Sequence, residues 1–450
     1  MRIPRVMIAG TGSGSGKTTA VCALLALLKR NGYSVRSCKC GPDYIDPGFH
    51  RRAISVPCVN LDPFFCGGEL LRALLCENAG GDITVLEGVM GYYDGTGETG
   101  TENSSYTVAQ ATETPVLLVA DGKGAFTSLL AVIEGFLNFV PQSRIAGVIF
   151  NRTGEATYAR LKKLVGERFG EKVICAGYIP VLPEECVFGS RHLGLVTAEE
   201  TEGFREKINK LADIAGSTLD LGAITRAANS APELFPAARE YPRLPEITLA
   251  VARDNAFCFY YSETLALFEK LGAKIKYFSP LANEEVPPDA DGLMIGGGYP
   301  ELHAEELEKA ARSARSVREA AASGMPTIAE CGGFMYLCET IDGKKTCGVL
   351  PGGSANTGRL SRFGYITLTT KRKSLFGEAG TALKAHEFHY YDSEFPGNDC
   401  TAEKTNGKQY GCAYCGDTLY AGYPHLYLAA SENAAIGFYK KCLEYREKKK

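Results

Sequence analysis

The chain lacks a hydrophobic run long enough to cross a bilayer, an excess of either charge, and any internal repeat or low-complexity tract. Its longest apolar runs, such as Val116–Ala120, are strand-sized. A membrane helix needs roughly 20 apolar residues, so no spanning segment is expected. With 49 basic and 52 acidic residues the formal charge is −3, which offers no field to draw nucleic acid or an anionic membrane. The N-terminal Met1-Arg-Ile-Pro-Arg5 lacks the charged-then-apolar pattern of a secretory signal. The 16 cysteines are scattered, several of them inside apolar runs. Together these features point to reduced thiols in the cytoplasm and not to a disulfide framework. Paired metal-ligand spacing is also missing. Cys412-Ala-Tyr-Cys415 stands alone and reads as two thiols in a loop or hairpin.

What remains is an ordinary globular composition, 45% hydrophobic and 22% charged over 450 residues, long enough for two or three domains. The first 180 residues alternate apolar runs with amphipathic stretches. Strands are expected at Arg5–Ala9, Ser34–Lys39, Ile83–Glu87, Val116–Ala120, Ile145–Phe150 and Val173–Tyr178, with helices such as Thr18–Arg30 and Ser128–Phe139 between them. That alternation predicts parallel βαβ units in a doubly wound sheet. A helical stretch near Glu199–Ala228 leads into Ala231–Pro245, whose four prolines read as a linker. The α/β pattern then restarts at Ile247–Ala252, Lys274–Phe278, Gly292–Ile295 and Thr327–Glu330. From Gly343 glycine and β-formers dominate, which predicts antiparallel strands, and Ser431–Glu447 reads as a closing helix. The expected domains are 1–230 and 247–450, joined by a linker over 231–246, both of α/β class.

Strand Arg5–Ala9 runs into Gly10-Thr-Gly12-Ser13-Gly14-Ser15-Gly16-Lys17-Thr18-Thr19, and a helix follows. This is the context of a phosphate-binding loop. Glycines let backbone N–H groups converge on phosphate oxygens, the helix N-terminus adds its positive end, Lys17 reaches the β/γ-phosphates and Thr18 can ligate Mg²⁺. The loop is one residue longer than the strict pattern and so resembles the dethiobiotin synthetase branch of P-loop proteins. Such a loop implies ATP, with Mg²⁺ bound through carboxylates. Glu87, at the carboxyl end of a strand, is placed for Mg²⁺, and Asp94 for Mg²⁺ or substrate. Asp43 and Asp46 also follow a strand.

Strand Thr327–Glu330 ends at Cys331-Gly332-Gly333, where a helix begins. A nucleophile on so tight a turn projects outward, and the helix N-terminus is expected to lower the thiol pKa. Upstream, Gly296-Gly297-Gly298 offers backbone N–H groups that, with Gly332, form a candidate oxyanion hole. His425 is the candidate base. His386 and His389 either meet a substrate carboxylate or cap a β-turn. His50, His192 and His303 read as loop hydrogen-bonders.

The C-terminal half resembles a class I glutamine amidotransferase domain, with two departures. The elbow reads Ala329-Glu-Cys-Gly-Gly333, and Leu426-Tyr427 stands where that class carries Pro-Glu, leaving no obvious partner for the imidazole. The whole chain resembles the cobyrinic acid a,c-diamide synthase family. The resemblance rests on Gly41-Pro-Asp-Tyr-Ile-Asp-Pro47, Glu87–Asp94, Gly147–Arg152, Arg191-His-Leu-Gly-Leu195, Gly296–Glu301, Ala329–Gly333, Arg359–Gly364 and His386–His389, in order from end to end. It implies ATP- and glutamine-dependent amidation of a cobyrinate-type tetrapyrrole by a ligase of corrinoid synthesis, with L-glutamine, ATP and the tetrapyrrole as partners and a homodimer as one assembly open to it. By that likeness Asn151 reads adenine, Mg²⁺ is held by Thr18, Asp43 and Glu87, and Asp43, Tyr44, Asp46 and Asp94 handle the carboxylates and the phosphorylated intermediate. Nickel-sirohydrochlorin and hydrogenobyrinate stay open as acceptors. A reading of a different class is a ParA/MinD-like nucleotide switch with an inactive amidotransferase-like domain, against which Cys331 and His425 argue.

Overall fold

The computed structural model describes residues 1–97, 100–186, 190–191, 194–195, 204–237 and 239–449. His192, Leu193 and the start of the expected Glu199–Ala228 helical stretch lie outside the described residues. The chain divides into two compact units, Met1–Arg239 and Glu240–Lys450.

The first unit is built on β1 Arg5–Gly10, β2 Val35–Cys40, β3 Cys58–Leu61, β4 Ile83–Glu87, β5 Val116–Asp121, β6 Ile145–Asn151 and β7 Ile174–Ile179. They form one seven-stranded sheet in the order β3-β2-β4-β1-β5-β6-β7, with every pairing parallel. β1 and β4 are buried along their whole length. Helices cover both faces, so these strands read as continuous apolar runs without alternation. β3 escaped the sequence reading because a four-residue edge strand, Cys-Val-Asn-Leu, has too little pattern to separate it from a loop. Helix α1, Lys17–Arg30, buries every residue from Ala20 to Leu28. It is apolar all round, as an interior helix must be, and it packs against the helix Phe204–Thr218.

The proline-rich segment belongs in part to this unit. Ala231 and Leu234 are buried. The N-terminal ammonium donates to Leu234 O at 2.6 Å, and the buried Arg5 guanidinium donates to Pro232 O at 2.9 Å. The boundary between units therefore falls at Arg239/Glu240, inside the proline-rich stretch.

The second unit has a six-stranded sheet ordered Ala273–Phe278, Ile247–Ala252, Gly292–Ile295, Thr327–Glu330, Leu419–Gly422 and Tyr414–Cys415. All its pairings are parallel except the last. Ser262–Leu271 and Glu432–Lys449 cover one face, with Phe268 and Phe438 meeting edge to face at 5.5 Å. A five-stranded antiparallel sheet follows, Gln409–Cys412, Cys400–Lys404, Arg362–Thr370, Ala382–His389 and His425–Leu426. Its last strand begins three residues after the parallel sheet's Leu419–Gly422 ends, so one short segment ties the two sheets together. Among the described residues no helix is long and apolar enough to cross a membrane. No disulfide joins the cysteines among the described residues.

Candidate functional site

β1 ends at Gly10, and the loop that follows enters α1 at Lys17. Gly14 and Gly16 have φ of 74° and 95°, the left-handed region that favours glycine. Gly16 has a second reason to be glycine, since a Cβ there would sit 2.1 Å from Asn151 Nδ2. Asn151 closes β6, and its Nδ2 donates to Ser15 O at 2.9 Å. The carboxamide thus braces the loop from below, and any contact with adenine falls to Oδ1. Lys17 folds back on its own loop, with Nζ donating to Gly12 O at 3.1 Å. Burial, and then the Lys39 charge, push its pKa down to about 8, which an incoming phosphate would reverse. Ser15 Oγ is buried and has no hydrogen-bond partner among the described residues. A phosphate oxygen in the loop would satisfy it.

Next to the loop lies a charge cluster whose centre the sequence reading passed over. Lys39 and Glu87 are cross-strand partners on β2 and β4. Lys39 Nζ is 3.0 Å from Glu87 Oε1, 2.5 Å from Asp46 Oδ2 and 4.0 Å from Asp43 Oδ2. Burial works against the Lys39 charge, but Asp46, Glu87 and Asp43 outweigh it and hold its pKa well above the ordinary value. Burial likewise opposes ionisation of Glu87, yet Lys39, His50 and Thr18 keep its carboxyl well below the usual range. For Asp46, burial and the Glu87 charge push the pKa up. His50 is a correction. It lies on the helix Ile45–Arg52 and not in a loop, fully buried, with Nε2 3.2 Å from Glu87 Oε2 and Nδ1 3.1 Å from Ser37 Oγ. The signal for Lys39 was present in the sequence: a lysine near the end of an interior strand, with solvent on neither face, must be paired.

The donor set fits Mg²⁺ of the phosphate-shared kind. Thr18 Oγ1 donates to Glu87 Oε1 at 2.7 Å, so a hydroxyl and a carboxylate oxygen lie side by side beneath the loop. No group of three His, Cys, Asp or Glu among the described residues could hold a metal alone. Mg²⁺ characteristically completes its shell with phosphate and water. Asp43 turns elsewhere: Oδ1 accepts from Ile45 N at 2.8 Å while Oδ2 faces Lys39. Asp94 Oδ2 accepts from Gly91 N at 2.8 Å and shapes the loop after β4. Tyr44 is buried at the start of the helix that carries Asp46.

In the second unit, Cys331 sits between Thr327–Glu330 and the helix Gly332–Leu337 with φ 49° and ψ −103°. This strained conformation turns a side chain out of the strand axis, as an elbow nucleophile requires. Its N–H donates to Gly422 O at 2.7 Å. Gly333 admits no side chain, because a Cβ would lie 2.0 Å from Ile295 O, and one on Gly332 would lie 2.8 Å from Pro300 Cδ and 3.2 Å from Gly298 N. A Cβ on Gly297 would lie 2.4 Å from His425 Cε1. The glycine turn Gly297–Gly298 thus lies against His425 on one side and against Gly332, the residue after Cys331, on the other. Tyr260 supports it, its hydroxyl accepting from Gly296 N at 2.8 Å.

The thiol corrects one expectation. Burial raises the Cys331 pKa far above that of a free thiol, the nearby Glu301 and Glu330 add to this, and the Gly332 N–H only partly opposes them. A six-residue helix does not overcome that desolvation. The resting group is a thiol that needs a base. Burial, with His386 and His389 nearby, holds His425 well below the ordinary imidazole value, so it is neutral and able to accept a proton.

His386 and His389 do not cap a turn. Both are buried within the eight-residue strand Ala382–His389. His386 is the cross-strand partner of His425, and their rings stack at 5.0 Å and 17°. His386 Nδ1 is 3.1 Å from Tyr261 OH. His389 stacks on Tyr423 at 3.9 Å and donates from Nδ1 to Tyr391 O at 2.6 Å. His303 closes the short turn Pro300–His303. Cys412 is the cross-strand partner of Cys400 in one hairpin, and Cys415 lies opposite Tyr420 in the next, all three cysteines buried.

Comparison with known proteins adds three findings. Residues 6–185 match a CobQ/CobB/MinD/ParA nucleotide binding domain. Residues 248–433 match a CobB/CobQ-like glutamine amidotransferase domain. The chain is also similar along its whole length to curated proteins named cobyrinate a,c-diamide synthase. One from Priestia megaterium is 36% identical over 97% of this chain and 97% of its own. One from Leptospira interrogans is 34% identical over 98% and 99%, and one from Thermoplasma volcanium 36% identical over 100% and 99%.

Proposed function

The chain belongs to the cobyrinate a,c-diamide synthase family, and on that premise we propose that it converts the a- and c-side-chain carboxylates of a cobyrinate-type tetrapyrrole into amides, using ATP and L-glutamine. The observation that carries this reading is the pairing, in one chain, of a phosphate loop backed by Thr18 and Glu87 with a strained Cys331 elbow and a neutral, buried His425.

A carboxylate is a poor acceptor for ammonia. Transfer of the γ-phosphoryl group of ATP to a carboxylate oxygen gives an acyl phosphate and ADP. Ammonia then attacks the acyl carbon, and phosphate leaves with its electron pair. Gly12, Ser13, Gly14, Ser15 and Gly16 supply backbone N–H groups to the phosphates, Lys17 neutralises the transferring group, and Thr19 lies in the first turn of the helix whose positive end faces it. Asn151 holds the loop's form and offers Oδ1 to the adenine amino group. Thr18 and Glu87 would hold Mg²⁺, with Asp43 on the substrate side; bound there, the ion spreads the charge that develops on the β- and γ-oxygens. Tyr44, Asp46 and Asp94 flank the acceptor carboxylate, and Lys39, fixed among its three carboxylates, places a positive charge where an acyl phosphate forms.

In the second unit His425 takes the Cys331 proton, and the sulfur attacks the glutamine carboxamide. Gly297, Gly298 and Gly332 direct N–H groups at the oxyanion. The imidazolium returns that proton to the departing nitrogen, ammonia leaves, a γ-glutamyl thioester remains, and water activated by the again neutral His425 releases glutamate. The test is mass spectrometry of cobyrinate, hydrogenobyrinate and nickel-sirohydrochlorin incubated with the enzyme, ATP, Mg²⁺ and glutamine. A gain of two amides on cobyrinate, abolished in Cys331→Ser with glutamine but kept with ammonia, is the expected result. A wild-type enzyme that amidates none of the three, or that hydrolyses no glutamine, overturns the reading in favour of a nucleotide switch.

A further inference from the structure

The family resemblance leaves the imidazole without its usual carboxylate, since Leu426-Tyr427 follows His425. A carboxylate nevertheless reaches the ring from the opposite direction in the chain. Glu330 ends the strand Thr327–Glu330, one residue before the nucleophile, and is only 7% exposed. Its Oε1 accepts from Leu426 N at 3.1 Å. That bond ties the side chain to the residue next to His425 and leaves Oε2 3.9 Å from His425 Nδ1. A Cβ on Gly297 would meet Cε1 first, at 2.4 Å, then Nδ1 and Nε2 at 3.3 and 3.4 Å. The ring therefore presents Cε1 to the glycine turn and Nδ1 to Glu330.

We propose that Glu330 is the positioning residue of the glutaminase site: it holds the Nδ1–H tautomer of His425, so that Nε2 accepts the Cys331 proton, and stabilises the imidazolium that results. The strand-end carboxylate takes the place of one that class I domains supply from beyond the histidine. Flat stacking on His386 restrains the ring plane but brings no charge, because burial pushes His386 down to about 3. Burial raises Glu330 itself to about 8, within reach of a pH profile. The other titratable groups around it are Cys331 on the elbow, His386 and Glu387 on Ala382–His389, Glu301 in the turn after Gly298, and Tyr260 and Tyr420. Cys331, Tyr260 and Tyr420 are all raised far beyond that range.

The inference rests on the glutaminase reading of Cys331, and the experiment separates the two. Glutamine-supported and ammonia-supported amidation are measured for wild type, Glu330→Gln, Glu330→Asp and Cys331→Ser across pH 6 to 9. For Glu330→Gln the expected result is a glutamine-supported kcat lower by about 10- to 100-fold, KM for glutamine and the ammonia rate within threefold of wild type, and loss of the ionisation near 8; Glu330→Asp recovers part of the rate. Wild-type glutamine kinetics with an unchanged pH profile in Glu330→Gln, while Cys331→Ser is inactive with glutamine, overturns this inference alone. Full glutamine activity in Cys331→Ser overturns the underlying reading instead. If Glu330→Gln loses the ammonia rate as well, it has not folded, and Glu330→Asp decides: a wild-type rate and profile there refutes the positioning role.

Discussion

Gly297→Ala tests the geometry of the thiol pocket with a single methyl group. The added Cβ would stand 2.4 Å from His425 Cε1, against about 3.5 Å for an ordinary carbon–carbon contact, so the ring or the turn must retreat by roughly 1 Å. The turn is held: Gly297 O accepts from Cys258 N and Phe259 N, both at 3.0 Å. The ring's face is covered by His386, stacked at 5.0 Å, which limits how the ring can tilt away. Gly297 is also absent from the positive-φ residues, so alanine brings no backbone strain and the effect is a displacement of the imidazole. A 1 Å misplacement of a catalytic group costs on the order of 10²-fold, or ~2.7 kcal/mol of transition-state stabilisation. The assay compares glutamine-supported with ammonia-supported amidation, alongside a thermal melt. The expected outcome is a glutamine-supported kcat lower by about 100-fold, with the ammonia rate unchanged. A glutamine rate within threefold of wild type, in a protein that melts normally, refutes the contact and with it the placement of His425 against the glycine turn.

Lys17→Ala and Glu87→Gln should each lower amidation from either nitrogen source by ~10²-fold or more while Cys331 still forms its thioester; losses below about threefold in both would put phosphate activation elsewhere. Because Glu330 carries a raised folded pKa, the folded state binds more protons than the unfolded state between the ordinary carboxyl value and about 8, so its contribution to stability is complete at low pH and is lost as pH rises through that window. Thermal melts from pH 5 to pH 8 should therefore show a smaller loss in Glu330→Gln than in wild type, and parallel curves would contradict the burial argument. On the proposed reading one phosphate loop and one elbow cysteine would serve two carboxylates, so the substrate would have to turn over between rounds: with excess tetrapyrrole, free monoamide should accumulate and then decline. Diamide formed from the first turnover with no free monoamide at any enzyme-to-substrate ratio would establish a processive mechanism instead.

The fold class was legible because interior strands of a parallel sheet are continuous apolar runs, and β1, β4, β5 and β6 are of that kind. The two chemical loops were legible for a related reason. Both place glycines where a strand meets a helix, and the structure shows why at Gly16 and Gly333, where a Cβ would collide with Asn151 or with Ile295 O. Local backbone geometry writes itself into local sequence. What escaped lies across sequence distance. Lys39 appeared as one lysine at a strand end, His50 as a loop residue, and His386 and His389 as an open choice between substrate contact and turn.

The sequence by itself determined the two α/β units and the glycine-rich strand-to-helix turns at Gly10–Thr19 and at Cys331, since each depends on the order of residues within a dozen positions, and it offered His425 as the candidate base. Only the tertiary structure decided how these groups are charged and which way they face. It set Lys39 among Asp43, Asp46 and Glu87 by pairing β2 with β4. It raised the Cys331 thiol where a helix terminus alone would have lowered it. It also brought Glu330 to within 3.9 Å of His425 across 95 residues of chain. Electrostatics and burial depend on what packs nearby in space. Strand register decides that, and a one-residue shift in register would turn each of these side chains to the opposite face of its sheet.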